Sequence, residues 1–186
     1  MDLFLVILGG LMSFIDSKRK KKEKANNNNR EEKMETIESK VINTLKNKIR
    51  ENINRGLYIK SLGKLTSNTF TVALDGTGVQ VRQLGKYILK WEHFNAIVKK
   101  ANELGGKMYR GDALPQNEGV KLGTDVSHNC MEGFISRELL GLPDKKSVTR
   151  RSTYYSGILA WAGIVTLNNS DGKGSYIIVN SAFRDI

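Results

Sequence analysis

The residues whose types and spacing could do chemistry concentrate late in the chain. Lys145, Lys146, Ser147, Thr149, Arg150, Arg151, Ser152 and Thr153 place four cations and four hydroxyls within nine positions. Arginine presents a planar fork of donors that fits guanine edges or phosphate, and hydroxyls with free backbone N–H groups at a helix start bind phosphate oxygens. From Lys145 to Lys173 there are five basic residues and one acid, a local charge of +4. This is the composition of a nucleic-acid surface. A solvated basic helix face backed by Tyr154, Tyr155 and Trp161 in a core would have the same composition.

Catalytic constellations are weaker. His93 stands between Trp91 and Phe94, and His128 lies near a helix start, each without an acid and a nucleophile in recognisable spacing. Core or capping roles are the expectation for both. Cys130 follows His128 by two positions, a spacing that catalytic thiol enzymes do not use. Asp112, Glu118 and Lys121 come nearest to a metal-dependent nuclease set, yet they fall in a loop with one residue too many for the acid-x-lysine strand. With two histidines and one cysteine in the chain, a Cys/His zinc site has almost nothing to be built from. The expectation is a non-enzyme with no cofactor and no metal.

A different chemistry stands at the start. Leu3 to Ile15 (LFLVILGGLMSFI) is apolar and contains Leu3, Phe4, Leu5, Val6, Ile7 and Leu8; Lys18, Arg19, Lys20, Lys21, Lys22 and Lys24 follow at once. A secretory signal has its positive charges first, so the order is reversed. Thirteen helical residues reach only about 20 Å, short of a hydrocarbon core of about 30 Å. Attachment to an anionic membrane is the expectation, with the basic cluster adding about 1 kcal/mol per residue. A hydrophobic tail held by a partner or a core helix is the alternative. Basic residues stay on the cytoplasmic side, which puts the rest at the cytoplasmic face of the cell membrane, or in the cytoplasm if nothing inserts.

Charge and composition bound the whole. The chain has 186 residues and a net charge of +11, with 39% apolar residues, 18 Gly and 2 Pro. That suits one globular domain with an N-terminal extension and polyanionic partners, and it excludes collagen, fully disordered and disulfide-stapled classes. Residues 1–17 contribute −2, residues 18–50 contribute +7 and residues 51–186 contribute +6. The implied organisation is a membrane-attachment segment over 1–17, a basic Asn-rich linker over 18–29, an amphipathic helix over 30–55 and an α+β domain over 57–186.

The elements must position these groups. Met34, Ile37 and Val41 follow one heptad phase and Ile42, Leu45 and Ile49 another, so the helix either dimerises as a short coiled coil with a phase slip or lies on the following domain. Gly56 ends it. Phe70, Val72 and Leu74 alternate as in a strand, Asp75-Gly76-Thr77-Gly78 turns, and Val79 to Arg82 alternates again, which predicts a hairpin. Gly76-Thr77-Gly78 lacks the third glycine of a dinucleotide loop. Trp91, Phe94, Val98 and Ala101 predict a helix that stops at Gly105-Gly106. Residues 107–126 read as loop, and Arg110-Gly111-Asp112 within them as a chance match to the integrin tripeptide. A second helix carries Met131, Phe134, Ile135 and Leu139, with Asn129 and Glu132 in capping-box spacing. A third runs from Ser147 through Trp161. Ile164 to Leu167 and Tyr176 to Val179 flank a polar Gly-rich tip, which predicts a second hairpin.

Helix, loop, helix, turn, helix, hairpin over residues 91–179 resembles the winged-helix branch of the helix-turn-helix DNA-binding proteins. The resemblance rests on element order and charge placement over about half the chain, with a long first loop and an extra leading hairpin as departures. It implies that the third helix enters the major groove of double-stranded DNA while Lys173 on the wing touches the backbone. The function expected is a membrane-associated, homodimeric DNA-binding protein that tethers or organises DNA or regulates transcription. The alternatives are a membrane-attached protein-interaction scaffold and the DNA-reading subunit of a nuclease or mobile-element system.

Overall fold

The computed structural model describes residues 19–22, 40–52, 58–60, 69–74, 76–111, 119–168 and 174–184. Two compact units are present, one of residues 1–37 with Ile186 and one of Glu38–Asp185. In the first, residues 19–22 form a helical turn whose Arg19, Lys20, Lys21 and Lys22 are exposed. Leu3 to Leu8, Lys18 and Lys24 lie outside the described residues. Among the described residues no helix is long and apolar enough to cross a membrane.

The second unit is α+β. It opens with helix α1 over residues 40–52, whose Val41, Leu45 and Ile49 recur every four positions and so share one face. All three are fully buried in the same cluster as Leu89, Phe94, Ile97 and Tyr155. Of the two arrangements the pattern allowed, the helix therefore lies on its own domain, and the stripe that would form a coiled-coil seam is covered within one chain. Lysines drape along its flanks: Lys40 over Phe183 at 5.1 Å, Lys46 over Trp91 at 5.3 Å and Lys48 over Trp161 at 5.9 Å. Each ammonium group stands over an aromatic ring, and that of Lys40 also donates to the Ala182 carbonyl at 2.6 Å.

Four antiparallel strands follow in chain order, β1 (Tyr58–Lys60), β2 (Thr69–Leu74), β3 (Gly78–Val81) and β4 (Ile88–Lys90). The predicted hairpin is β2–β3, with Val72 opposite Val81 and Leu74 opposite Val79. On β3, Val79 and Val81 are buried and Gln80 is exposed, the alternation that the sequence displays. Gly78 lies opposite Lys90, and a Cβ there would collide with the Leu89 carbonyl, so the close approach of β3 and β4 requires glycine.

Helix α2 (Trp91–Glu103) buries Trp91, His93, Phe94, Ile97, Val98 and Ala101. Gly105 and Gly106 stop it at φ 81° and 86°, and the Gly106 N–H returns to the Ala101 carbonyl at 2.8 Å. The following residues were expected as loop. The structure instead forms β5 (Lys107–Tyr109), because Met108 is apolar and inward while Tyr109 faces Tyr176 across the ladder.

Helix α3 (Met131–Phe134) continues as a π-helical turn, Ile135–Leu139. Helix α4 runs over Ser152–Trp161. Strands β6 (Val165–Asn168) and β7 (Tyr176–Val179) form the second predicted hairpin, and β7 pairs on its other side with β5, giving the sheet order β5-β7-β6. Ile177, Val179, Val165 and Met108 point from this sheet into the core formed with α2 and α4.

Candidate nucleic-acid interface

The segment between α3 and α4 carries most of the residues that the sequence singles out. The Gly141 N–H bonds the Arg137 carbonyl at 3.1 Å and the Leu142 N–H bonds the Ser136 carbonyl at 2.8 Å, which closes the π-helical turn, with Gly141 at φ 67°. The chain then runs beside residues 120–122: the Leu122 N–H donates to the Lys146 carbonyl at 3.0 Å, Lys145 N–H to Leu122 at 2.8 Å and Val148 N–H to Val120 at 2.7 Å. Lys121 pairs antiparallel with Ser147, and the Asp125 carboxylate accepts the Lys121 N–H at 2.8 Å. Lys145 is held at φ 65°, a conformation that residues other than glycine rarely adopt.

This pairing moves the start of the third helix. The sequence predicts it from Ser147, whereas α4 begins at Ser152, since residues 145–148 are committed to hydrogen bonds with residues 120–122 and a left-handed Lys145 cannot be helical. Lys145, Lys146, Ser147 and Thr149 are exposed on a backbone-anchored loop, and Arg150 is half-buried.

Arg151, Ser152 and Thr153 turn inward instead. The buried Glu132 accepts the N–H of Arg151 and of Ser152 on Oε2, each at 2.8 Å, so the first amides of α4 already hold a carboxylate. Arg151 lays its guanidinium over the Tyr87 ring at 4.5 Å and donates to the Thr149 carbonyl at 3.1 Å. Ser152 is buried, and Thr153 accepts from Arg110 Nη2 at 2.9 Å. Every residue of α4 is buried or half-buried, so the helix has no exposed residue to present to a groove. Lys173 lies outside the described residues.

Two of the network's residues carry little sequence signal. Arg110, 1% exposed, also donates from Nη1 to Ser175 Oγ at 3.2 Å, and thereby joins the first turn of α4 to the start of β7. In the sequence it stood only in the tripeptide set aside as chance. Glu132 stood in capping-box spacing, but the cap of α3 is Cys130: its thiol donates to the Ser127 carbonyl at 2.9 Å and accepts the Gly133 N–H at 3.4 Å. Glu132 is thereby left to cap α4. Burial pushes the Glu132 carboxyl above its usual range against the opposing pull of the Ser152 and Arg151 amides, and burial likewise raises the Cys130 thiol. A protonated, enclosed thiol is no nucleophile.

The histidines part company. His93 is buried and its Nδ1 meets the Tyr155 hydroxyl at 2.9 Å. Burial lowers the His93 pKa and raises that of Tyr155, so a neutral ring meets a neutral hydroxyl. His128 is partly exposed, with Nε2 at 2.8 Å from Asp144 Oδ1 and Nδ1 at 2.9 Å from Arg137 Nη1. Asp112 and Glu118 lie outside the described residues, and Lys121 is exposed. Among the described residues no group of three or more His, Cys, Asp or Glu side chains could hold a metal ion.

No family model matches the chain, and no curated protein or solved structure matches it either.

Proposed function

We propose that the chain binds duplex DNA, holding its phosphates on the loop of Lys145, Lys146, Ser147 and Thr149, with the β6–β7 hairpin as a second contact. The observation that carries this reading is the loop itself. Two adjacent lysines and two hydroxyls are exposed on a backbone fixed by paired hydrogen bonds to residues 120–122, in a chain of net charge +11. A preorganised cationic loop loses little entropy on engaging a polyanion and displaces condensed counterions from it. The order α2, β5, α3, α4, β6, β7 and the sheet order β5-β7-β6 support a winged-helix-like unit, because the hairpin is tied to the helices through β5. Since α4 is enclosed and its first amides hold Glu132, the contacts are mainly with phosphate, and sequence preference is modest. The N-terminal segment, through Leu3 to Leu8 and the lysines from Lys18 to Lys24, would bring bound DNA to an anionic membrane.

The test is the salt dependence of binding by the full chain to a short duplex. Each of Lys145→Ala and Lys146→Ala should lower the slope of log affinity against log salt by about 0.9 and weaken unrelated sequences alike. Unchanged slopes in both variants would take the loop out of the interface.

A further inference from the structure

The sheet β5-β7-β6 has two unlike faces. Met108, Ile177, Val179 and Val165 are buried on the face that meets α2 and α4. The alternation along each strand puts Lys107, Tyr109, Tyr176, Ile178, Thr166 and Asn168 on the other face. The register sets these in two rows across the strands, Tyr109 opposite Tyr176 opposite Asn168, and Lys107 opposite Ile178 opposite Thr166. Thr166 is exposed and the other five are partly exposed. The two tyrosine rings meet edge to face with centroids 5.7 Å apart, and the Lys107 ammonium lies 3.9 Å from the Tyr176 centroid and 4.8 Å from that of Tyr109. The Arg110 N–H donates to the Ser175 carbonyl at 2.9 Å and extends the ladder past the tyrosines, so the pair stands on fixed backbone. At the other end of β5, exposed Arg184 donates from Nε to the Val179 carbonyl at 2.6 Å, with its guanidinium against Gly106. Strands β5, β6 and β7 contain no Asp or Glu.

An aromatic pair with a cation on its rings suits flat bases joined by phosphates. Every nucleobase has a π-face that stacks on a tyrosine ring whatever the sequence, and the bases of a duplex are already stacked on one another, so only an unpaired strand offers them. We propose that the outer face of the sheet β5-β7-β6 binds single-stranded nucleic acid, with bases stacked on Tyr109 and Tyr176 and phosphates held by Lys107 and Arg184. A base and the Lys107 ammonium compete for the Tyr176 ring. Stacking of a base on an aromatic side chain outweighs a cation–π contact at an exposed site, and the displaced ammonium gains a phosphate in exchange. Lys107 on the face, Arg184 at its edge and strands without a carboxylate favour a polyanion over an apolar protein surface. The platform is built from other residues than the loop of Lys145 and Lys146, and it does not rest on the duplex reading.

The experiment titrates short fluorescent oligothymidylate and oligouridylate with the full chain over a salt series, with near-ultraviolet circular dichroism of each variant to confirm folding. Binding of either strand through the tyrosines supports the platform, and the tighter one identifies the sugar it prefers. Tyr109→Leu and Tyr176→Leu keep apolar bulk on the strands but lose the ring; each should weaken binding roughly tenfold at every salt concentration without changing the slope, and Tyr109→Phe and Tyr176→Phe should bind as the wild type does. Lys107→Ala should lower the slope by about 0.7, the single-strand value of one phosphate contact. A short duplex should be indifferent to the tyrosine variants. Wild-type affinity in the folded Leu variants, or an equal loss for duplex and single strand, would overturn the platform. If Lys145→Ala and Lys146→Ala leave duplex binding unchanged while the Leu variants lose the single strand, the duplex reading fails and the platform stands. Proton NMR of the wild type covers a Leu variant that does not fold: the Tyr109 and Tyr176 ring signals should move upfield as the tighter-bound strand is added, and unmoved signals would overturn the platform.

Discussion

At the scale of single residues, the interior holds two ionisable groups whose burial has opposite consequences for stability. Glu132 has its carboxyl pushed up by burial, so folding favours the protonated form; its contribution is fully present below about pH 4.5 and is lost as pH rises through the folded value. His93 has its pKa pushed down by burial, so its contribution is present above about pH 6.5 and is lost as pH falls. Denaturant midpoints of the full chain across pH 4 to 8 separate the two. Relative to wild type, Glu132→Gln should gain in stability as pH rises, because it keeps an acceptor for the α4 amides and buries no charge. A flat difference would mean that the carboxyl is not held in its neutral form. Glu132→Ala leaves the N–H groups of Arg151 and Ser152 without their partner and should cost about 2 kcal/mol below about pH 4.5, and less as pH rises and the wild type loses the contribution of the protonated carboxyl.

Elements were legible where a period was strong. Val79 and Val81 against Gln80, and Trp91, Phe94, Val98 and Ala101 along α2, put their pattern in the sequence because each element has one buried face. Strands of three residues, β1, β4 and β5, are too short to show a period and exist through their neighbours in the sheet. The start of α4 failed for a related reason. Ser147 to Arg151 contains good capping residues, but the pairing with residues 120–122 is made at a distance in sequence and overrides them. The candidate site was half legible: the exposed Lys145, Lys146, Ser147 and Thr149 followed from composition, whereas the enclosure of Ser152 by a carboxylate twenty positions earlier could not. The helix α3 depends on a similar close approach. A Cβ at Gly133 would fall inside the contact distance of the Ser127 carbonyl, where backbone cannot yield cheaply. Gly133→Ala should therefore cost about 2–4 kcal/mol in chemical denaturation despite the better helix propensity of alanine. A neutral effect would mean that the start of α3 can back away from residues 127–128.

For the whole molecule, α1 changes where the folding unit begins. The compact unit is Glu38–Asp185, and Val41, Leu45 and Ile49 are as deeply buried as Phe94 or Ile158. Truncating a buried aliphatic side chain to alanine costs about 2–5 kcal/mol, so removing three together approaches the 5–15 kcal/mol that holds a typical domain folded. A fragment beginning at Leu57, just past the amphipathic helix, should lose cooperative unfolding and dispersed amide signals. A fragment beginning at Glu38 should keep both, and it retains the basic loop while shedding the N-terminal lysines that attract any polyanion. The same logic applies to Leu45→Asp and Ile49→Asp: a carboxylate placed in this core should unfold the domain, whereas at a surface coiled-coil seam it would leave a folded monomer. Sedimentation with circular dichroism on the same samples decides between them. A folded, monomeric Leu45→Asp protein alongside a dimeric wild type would return α1 to the role of a dimer seam and put the start of the domain back at Leu57.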